Sequence, residues 1–133
     1  MLGKNEIVGL ISDLNLTNGE YWVTAGAGLV LHGIKESARD IDIGCTDKVI
    51  DRLLLEGYPL SRTPDGIRAV KCGDILEFYE NWFADEVVTI DGISVASPLS
   101  IRRQKAALGR EKDMRDVKLI EEFIHERVIN AFK

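Results

Sequence analysis

The stretch Arg39-Asp40-Ile41-Asp42-Ile43-Gly44 decides how the rest of this sequence is interpreted. Successive side chains of a β-strand point to opposite faces, so Asp40 and Asp42 would share one face and the intervening isoleucines the other. The isoleucines suit a core, which leaves the aspartates on the open face. At a rise of roughly 3.3 Å per residue, their Cα atoms would lie about 6.7 Å apart. Carboxylates at this spacing can converge on Mg²⁺ or on a pair of metal ions about 4 Å apart. The alternative is an edge strand that carries charge to discourage aggregation.

A glycine-rich segment lies upstream of the two aspartates. Tyr21 to Thr24 is a β-prone run, and Ala25-Gly26-Ala27-Gly28 permits a tight backbone turn. Leu29 to Gly33 has the composition of a short apolar helix that ends at a glycine. The predicted order is strand, glycine turn, short helix, connector and a second strand that carries two aspartates. A glycine turn that opens a helix presents backbone N–H groups and a positive dipole end, which suits a phosphate.

This order resembles the signature of the DNA polymerase β-like nucleotidyltransferase superfamily, from Ala25-Gly26 through His32-Gly33-Ile34 to Asp40-Ile41-Asp42-Ile43. In that family, a Gly-Gly or Gly-Ser pair is followed, after a short helix, by Asp-x-Asp or Asp-x-Glu on a strand. This chain departs from the pattern because its pair is Ala25-Gly26 or Gly26-Ala27, without the second glycine or serine.

The resemblance implies a metal-dependent enzyme that moves a nucleoside monophosphate from an NTP, such as ATP, to a hydroxyl acceptor and releases pyrophosphate. It implies Asp40 and Asp42 as catalytic ligands of Mg²⁺ or Mn²⁺. The implied phosphate-binding residues are Ala25, Gly26 and Ala27.

A third carboxylate is needed for two-metal nucleotidyl transfer, because one group must bind a metal and accept the proton of the attacking hydroxyl. Glu77 lies between Leu76 and Phe78 in a later β-prone run, as the family pattern requires. We therefore predict Glu77 as a metal ligand and catalytic residue, against the alternative of an exposed strand carboxylate. Asp74 and Glu80, nearer the strand ends, are the other candidates.

Positive charge concentrates between Arg102 and Arg115, where a solvated helix face is the default interpretation. The segment from Lys105 to Asp116 nevertheless resembles the helical Lys…Arg-x-Lys-Asp…Asp segment of small bacterial nucleotidyltransferases, including the AbiEii-like abortive-infection toxins. The resemblance implies that Lys105 binds nucleotide by neutralising triphosphate charge, whereas Asp113 and Asp116 brace two helices. Arg39 alternates with the aspartates and is expected on the opposite face. His32 is expected to be a packed, hydrogen-bonded residue.

Composition limits the number of domains, the partners and the cysteine sites that this protein can have. The chain has 133 residues, 45% of them hydrophobic, which suits one domain over residues 1–133. A net charge of -5 gives no bulk electrostatic reason to hold nucleic acid, although local basic clusters could do so. No apolar run approaches the length of a membrane span and no signal peptide is evident, so we expect a cytoplasmic protein without a membrane partner. Cys45 and Cys72 are too isolated for a disulfide framework or a zinc site.

The pattern along the chain predicts an α+β fold: a nucleotidyltransferase-like mixed sheet flanked by helices. Two C-terminal helices are expected, from about Pro98 to Leu108 and from about Glu111 to Val128. A chain this short leaves the acceptor wall to a second copy in a homodimer or to a partner protein.

Three other functions compete. The first is a catalytically weak or inactive module of this fold that acts through a protein partner, as in toxin–antitoxin pairs. The second is a haloacid dehalogenase-type phosphatase, which expects Thr or Val where Gly44 stands and begins with its aspartate strand. The third is an acidic interaction domain that binds no metal.

Overall fold

The computed structural model describes residues 1–82 and 84–133, which alternate between helices and strands. The elements in chain order are α1 (Lys4–Asp13), β1 (Tyr21–Thr24), α2 (Ala25–Leu31), β2 (Ile41–Cys45), α3 (Asp47–Leu55), β3 (Leu60–Arg62), β4 (Arg68–Cys72), β5 (Leu76–Glu80), β6 (Val87–Ile90), β7 (Ile93–Ala96), α4 (Pro98–Leu108) and α5 (Glu111–Ala131).

The strands form one mixed sheet of seven, in the order β3-β4-β5-β2-β1-β7-β6. Strand β2 is antiparallel to β1 and parallel to β5, and β1 is parallel to β7. The remaining neighbours are antiparallel. This mixed sheet with helices against it and two helices at the C-terminus confirms the predicted α+β class.

The main core lies on one face of the sheet, under α1 and α3. Ile41 and Ile43 of β2 are fully buried there, as the alternation in the sequence predicts, whereas Asp42 is only partly buried and projects from the other face. Phe78 of β5 joins the same core. The side chains that α1 and α3 contribute are Ile7, Ile11, Val49, Ile50 and Leu53.

A smaller core covers part of the opposite face. Leu29 of α2, Ala96 of β7, Ile101 of α4 and Ile120 of α5 are all 0% exposed and pack together. Helix α4 is delimited by local chemistry: the Ser97 hydroxyl accepts a hydrogen bond from Ser100 N at 3.2 Å, and the helix ends at a left-handed glycine, as predicted. The C-terminal helices therefore pack against each other, against α2 and against the end of β7.

The predicted glycine turn after β1 is wrong. Helix α2 begins at Ala25, directly after the last residue of the strand, so Gly26 and Gly28 lie inside the helix. The chain changes direction at Ala25, which has a left-handed φ of 53°. Gly28 serves close packing, because a Cβ there would lie 2.8 Å from Ile101 Cδ1.

Within the described residues, none of the helices combines the length and the apolar character that crossing a membrane requires.

Candidate active site

Asp42 lies at the centre of a polar row that crosses three adjacent strands. Its Cα is the register partner of Thr24 on β1 and of Glu77 on β5. Residues at matched positions of neighbouring strands project from the same face. Asp40 lies just before the first residue of β2 and is exposed, so it belongs to the end of the connector rather than to the strand.

The pKa of Asp42 is raised where these carboxylates lie close together. Burial raises the pKa of Asp42 from 3.8 to about 6, and the charges of Asp40 and Glu77 act in the same direction. Lys105 and Lys112 lower the pKa of Asp42 by a smaller amount. Negative charge is thus concentrated at a partly buried position, which favours binding of a cation or a proton.

A cavity of about 480 Å³ opens in front of Asp40 and Asp42. Its size falls within the usual range for small-molecule sites. Both acidic and basic side chains line it. The charged residues that line it are Lys35, Arg39, Asp40, Asp42, Lys105, Arg110, Lys112, Asp113, Arg115 and Asp116. Arg39 lines the cavity with the aspartates, so its predicted position on the opposite face is wrong.

Of the predicted phosphate-binding residues, Ala25 and Gly26 line the cavity. Ala27 instead belongs to the main core and is 1% exposed. Lys105 also lines the cavity, but its side chain is only 10% exposed and is held by two acids. Its Nζ lies 2.9 Å from Asp116 Oδ2 and 3.6 Å from Asp113 Oδ1.

Asp113 and Asp116 brace α5 against α4, as expected. Asp113 also binds Arg110, whose Nε lies 2.6 Å from Asp113 Oδ2. The Arg110 guanidinium and Lys105 lower the pKa of Asp113 against the opposing effect of burial. Asp116 reaches a third element, because Lys35 Nζ of the connector lies 3.3 Å from Asp116 Oδ1.

The structure separates the three candidates for the third carboxylate. Glu80 projects to the side of the sheet opposite Glu77, where it pairs with Arg68 Nε at 2.9 Å. This pairing lowers the pKa of Glu80. Asp74 is exposed in the turn before β5. Only Glu77 stands in register with Asp42.

An aromatic wall beside the carboxylates was not anticipated from the sequence. Trp82 lines the cavity, and its ring makes an edge contact with Tyr79 at 4.9 Å between centroids. Trp22 Nε1 donates a hydrogen bond to the Trp82 carbonyl at 2.8 Å. The Trp22 indole occupies the space over Gly44, where a Cβ would lie 2.0 Å from Nε1. The sequence hint was a tryptophan two residues before Thr24 on the same strand face.

His32 has the packed, hydrogen-bonded position expected of it. Its Nε2 lies 2.8 Å from the Ala96 carbonyl oxygen. Burial lowers the pKa of His32, with smaller contributions from Arg127 and Lys4. The neutral ring therefore donates to Ala96, which joins the end of α2 to β7.

The donor set at the aspartates fits Mg²⁺ or Mn²⁺ held jointly with a substrate. Carboxylate oxygens are the ligands that these hard cations prefer, and Mg²⁺ is usually bound by one or two carboxylates together with phosphates and waters. In the described part of the chain, no three His, Cys, Asp or Glu side chains form a ready-made metal cage. Asp40 and Asp42 are thus suited to a metal that arrives with phosphate oxygens.

Comparison with solved structures shows the fold. ANT(2″)-Ia, in complex with adenylyl-2″-tobramycin, superimposes with a TM-score of 0.58 at 16% identity, over 96% of this chain and 90% of that one. A proposed nucleotidyltransferase from Thermotoga maritima superimposes with a TM-score of 0.59 at 16% identity, over 94% of this chain and 96% of that one. The chain has a nucleotidyltransferase fold. The nucleotidyltransferase-like fold predicted from the sequence is thereby confirmed.

The lincosamide antibiotic adenylyltransferase LnuA, bound to lincomycin, is a weaker match. It gives a TM-score of 0.49 at 19% identity, over 86% of this chain and 92% of that one, and it carries no further argument. No protein-family profile matches the sequence, and no curated protein matches it significantly.

Proposed function

We propose that this protein transfers a nucleoside monophosphate from an NTP to a hydroxyl acceptor and releases pyrophosphate, with the help of Mg²⁺ or Mn²⁺. The observation that carries the proposal is the register of Asp42 with Glu77, together with the cavity that Asp40 and Asp42 line. The nucleotidyltransferase fold supports the reaction class. ANT(2″)-Ia, in complex with adenylyl-2″-tobramycin, is an example of this fold with an adenylylated compound.

Asp40 and Asp42 would hold the metal, together with oxygens of the triphosphate. The metal supplies charge neutralisation at the phosphates when it is bound. The chain's own contribution is to place two carboxylates and several cations around one cavity. This arrangement would orient a triphosphate, since the metal and the cations contact it at the same time.

Glu77 would act as the general base. The acceptor oxygen attacks the α-phosphorus, a new P–O bond forms, and the bond from that phosphorus to the bridging oxygen of the β-phosphate breaks. The hydroxyl proton passes to the Glu77 carboxylate, and pyrophosphate leaves with the bonding electron pair. Trp82 and Tyr79, which lie on the Glu77 side, would form the wall against which the acceptor approaches.

A thermal-shift panel of the four NTPs, with and without Mg²⁺ or Mn²⁺, tests the nucleotide site. An NTP at 100 times its dissociation constant should stabilise the protein by about 2.7 kcal/mol. The shift should require metal and should disappear in Asp42→Ala and in Asp40→Ala. Metal-dependent shifts that survive in both variants would contradict the proposed site.

A second assay tests whether the nucleoside monophosphate is transferred to an acceptor. The purified protein is incubated with α-³²P-labelled NTPs, Mg²⁺ and three acceptors: a mixture of hydroxyl-bearing antibiotics, an RNA with a free 3′ end, and a hydroxyl-bearing protein fraction. Label should enter one acceptor class and should not do so with Glu77→Gln. Metal-dependent NTP binding without any labelled product would contradict the transfer reaction.

A second candidate is a catalytically weak module of the same fold that acts through a partner protein or as a homodimer. Exposed apolar side chains at the end of α5 and directly after it favour it: Val128 is 51%, Ile129 45% and Phe132 87% exposed. The two candidates differ in turnover. Analytical ultracentrifugation at micromolar concentration, combined with the labelling assay, separates a self-sufficient monomeric transferase from a module that needs another chain.

A further inference from the structure

The cations that line the cavity fall into two groups. Lys35, Lys105 and Arg110 are paired with two acids of α5: Lys35 and Lys105 pair with Asp116, and Arg110 pairs with Asp113. Asp113 is 0% exposed and Asp116 8% exposed, so these pairs are integral to the packing of α5. For Lys105 to reach a ligand, its ammonium would have to leave Asp113 and Asp116 with one cation each, Arg110 and Lys35.

The second group consists of Arg39, Lys112 and Arg115. All three are exposed and line the cavity. In residues 1–82 and 84–133, none of them has a carboxylate partner within the 4.0 Å that defines the other ion pairs. The protein as a whole carries a net charge of -5, so an excess of lysine and arginine does not explain three unpaired cations around one cavity.

The two groups occupy neighbouring stripes of α5. Asp113 and Asp116 are three residues apart and face α4, whereas Lys112 and Arg115, also three residues apart, lie one position earlier on the helix surface. Arg39 reaches the cavity from the other side, directly before Asp40. Lys112 is near enough to Asp42 to lower the pKa of that carboxyl.

We infer that Arg39, Lys112 and Arg115 bind the polyphosphate of the nucleotide, and that Lys105 is a positioning residue held by Asp113 and Asp116. This inference deepens the proposed function and rests on it for the identity of the ligand. Two guanidinium groups and one ammonium suit adjacent phosphates, because guanidinium binds phosphate oxygens in pairs. Unpaired cations also gain more from an incoming anion than cations that already have a carboxylate partner.

The first experiment uses inorganic tripolyphosphate in EDTA, so that no metal contributes to binding. Isothermal titration calorimetry compares the parent with the triple variant Arg39→Gln/Lys112→Gln/Arg115→Gln. The matched control is Lys48→Gln/Lys118→Gln/Lys133→Gln, which removes the same charge from exposed lysines outside the cavity lining. The cavity variant should bind at least about 30-fold more weakly, roughly the loss of one charge-assisted hydrogen bond or more. The control should stay within about twofold.

Each result decides the inference. Equal weakening in both triple variants would show a general charge effect and overturn it, as would unchanged binding in the cavity variant. A short single-stranded oligonucleotide that binds through Arg39, Lys112 and Arg115 while tripolyphosphate does not would also overturn it, in favour of an acceptor nucleic acid. A folded Lys105→Met variant should retain tripolyphosphate binding within about threefold. If Lys105→Met loses more affinity for tripolyphosphate than this while the cavity variant is unaffected, Lys105 is the phosphate-binding residue and the inference is overturned.

Asp42→Asn separates this inference from the proposed function. The substitution removes negative charge near the polyphosphate, so metal-free tripolyphosphate binding should stay equal or become tighter while metal-dependent NTP binding is lost. If tripolyphosphate binding depends on the three cations but no nucleotide is ever transferred, the anion site stands and the transfer reaction fails. If transfer occurs and the cavity variant leaves the KM for NTP unchanged, the anion assignment fails and the transfer reaction stands.

Discussion

Asp42 and Glu77 are register partners on the parallel strands β2 and β5, so two carboxylates from distant parts of the sequence project side by side from one face of the sheet. Neighbouring strands lie about 4.8 Å apart. The pKa of Asp42 is raised first by burial, then by the charge of Asp40, and third by the charge of Glu77. A fold optimised for stability alone would not retain this arrangement, since like charges in register are destabilising.

Removal of the Asp42 charge should therefore stabilise the metal-free protein. The pKa of Asp42 is raised from 3.8 to about 6 in the folded state, so ionised Asp42 opposes folding above about pH 6. At pH 7.5 in EDTA, Asp42→Asn should raise the free energy of unfolding by about 1–3 kcal/mol, since one pKa unit corresponds to about 1.4 kcal/mol. The gain should shrink as the pH falls from 6 towards 4, where both folded and unfolded Asp42 become protonated.

Urea denaturation at pH 4 and pH 7.5 measures this gain. Asp65→Asn, in the exposed turn between β3 and β4, is the control and should change stability little at either pH. A loss of stability in Asp42→Asn at pH 7.5 would show that this carboxylate is structural.

Glu77→Gln should leave the fold and metal-dependent NTP binding intact while transfer slows by about 10²- to 10⁴-fold, the usual contribution of a general base. The amide keeps the shape of the side chain but cannot accept the proton. Thermal shifts report binding, and the labelled-NTP assay reports transfer. Asp74→Asn, in the exposed turn before β5, is the control with a near-parental rate. Parental transfer by Glu77→Gln would place the base elsewhere.

The features of the fold and the site that the sequence predicts are those that depend on residues close together in the chain. The alternation of Asp42 with buried Ile41 and Ile43 follows from strand geometry, and it predicted the correct face. The hairpin at Asp91-Gly92 is also predictable, because an Asp-Gly pair between two β-prone runs favours a two-residue turn. Both residues have the positive φ that such a turn requires, 50° and 79°.

The parts that sequence reasoning missed depend on tertiary contacts. Gly28 looked like a turn residue, but its missing Cβ makes room for Ile101 on a distant helix. Arg39 was placed on the wrong face, because β2 begins only at Ile41 and strand alternation does not extend to it. The pairing of Lys105 with Asp113 and Asp116 depends on how α4 packs on α5, which residue spacing within one helix does not reveal.

Lys105→Met should destabilise the protein by about 1–3 kcal/mol, because each acid loses one charge-assisted contact but keeps a second cation, Arg110 at Asp113 and Lys35 at Asp116. Asp113 and Asp116 would lose their shared cation, and their side chains are only 1% and 11% exposed. Arg102→Gln is the matched control on the same helix. It breaks an exposed pair with Glu121 and should cost about 1 kcal/mol or less.

Guanidinium chloride denaturation compares these two variants. A relief variant, Lys105→Met combined with Asp116→Asn, should recover part of the loss, because one buried charge is removed with its partner. Equal effects of Lys105→Met and Arg102→Gln would contradict a buried ionic role for Lys105.

Gly44→Ala should disturb the aromatic wall. Its Cβ would lie 2.0 Å from Trp22 Nε1, so the indole must move and its hydrogen bond to the Trp82 carbonyl must lengthen or break. We expect a loss of about 1–3 kcal/mol, as for other overpacked sites, and a change in tryptophan fluorescence. The double variant Gly44→Ala/Trp22→Ala should lose less than the sum of the two single variants. Additive losses would show that the two residues do not share this space.

Ala25→Gly should stabilise the protein, which is unusual for a helix residue. Ala25 has a φ of 53°, and a left-handed conformation costs an L-residue roughly 1–2 kcal/mol. Glycine avoids that strain but gains about 0.4–1 kcal/mol of additional freedom in the unfolded chain, so the net gain should be about 0.5–1 kcal/mol. Ala27→Gly is the matched control, because Ala27 lies in the same helix, is buried and has no positive φ. It should lose about 1 kcal/mol. Urea denaturation of both variants measures the contrast, and two losses of equal size would show that Ala25 stores no strain at the entrance to α2.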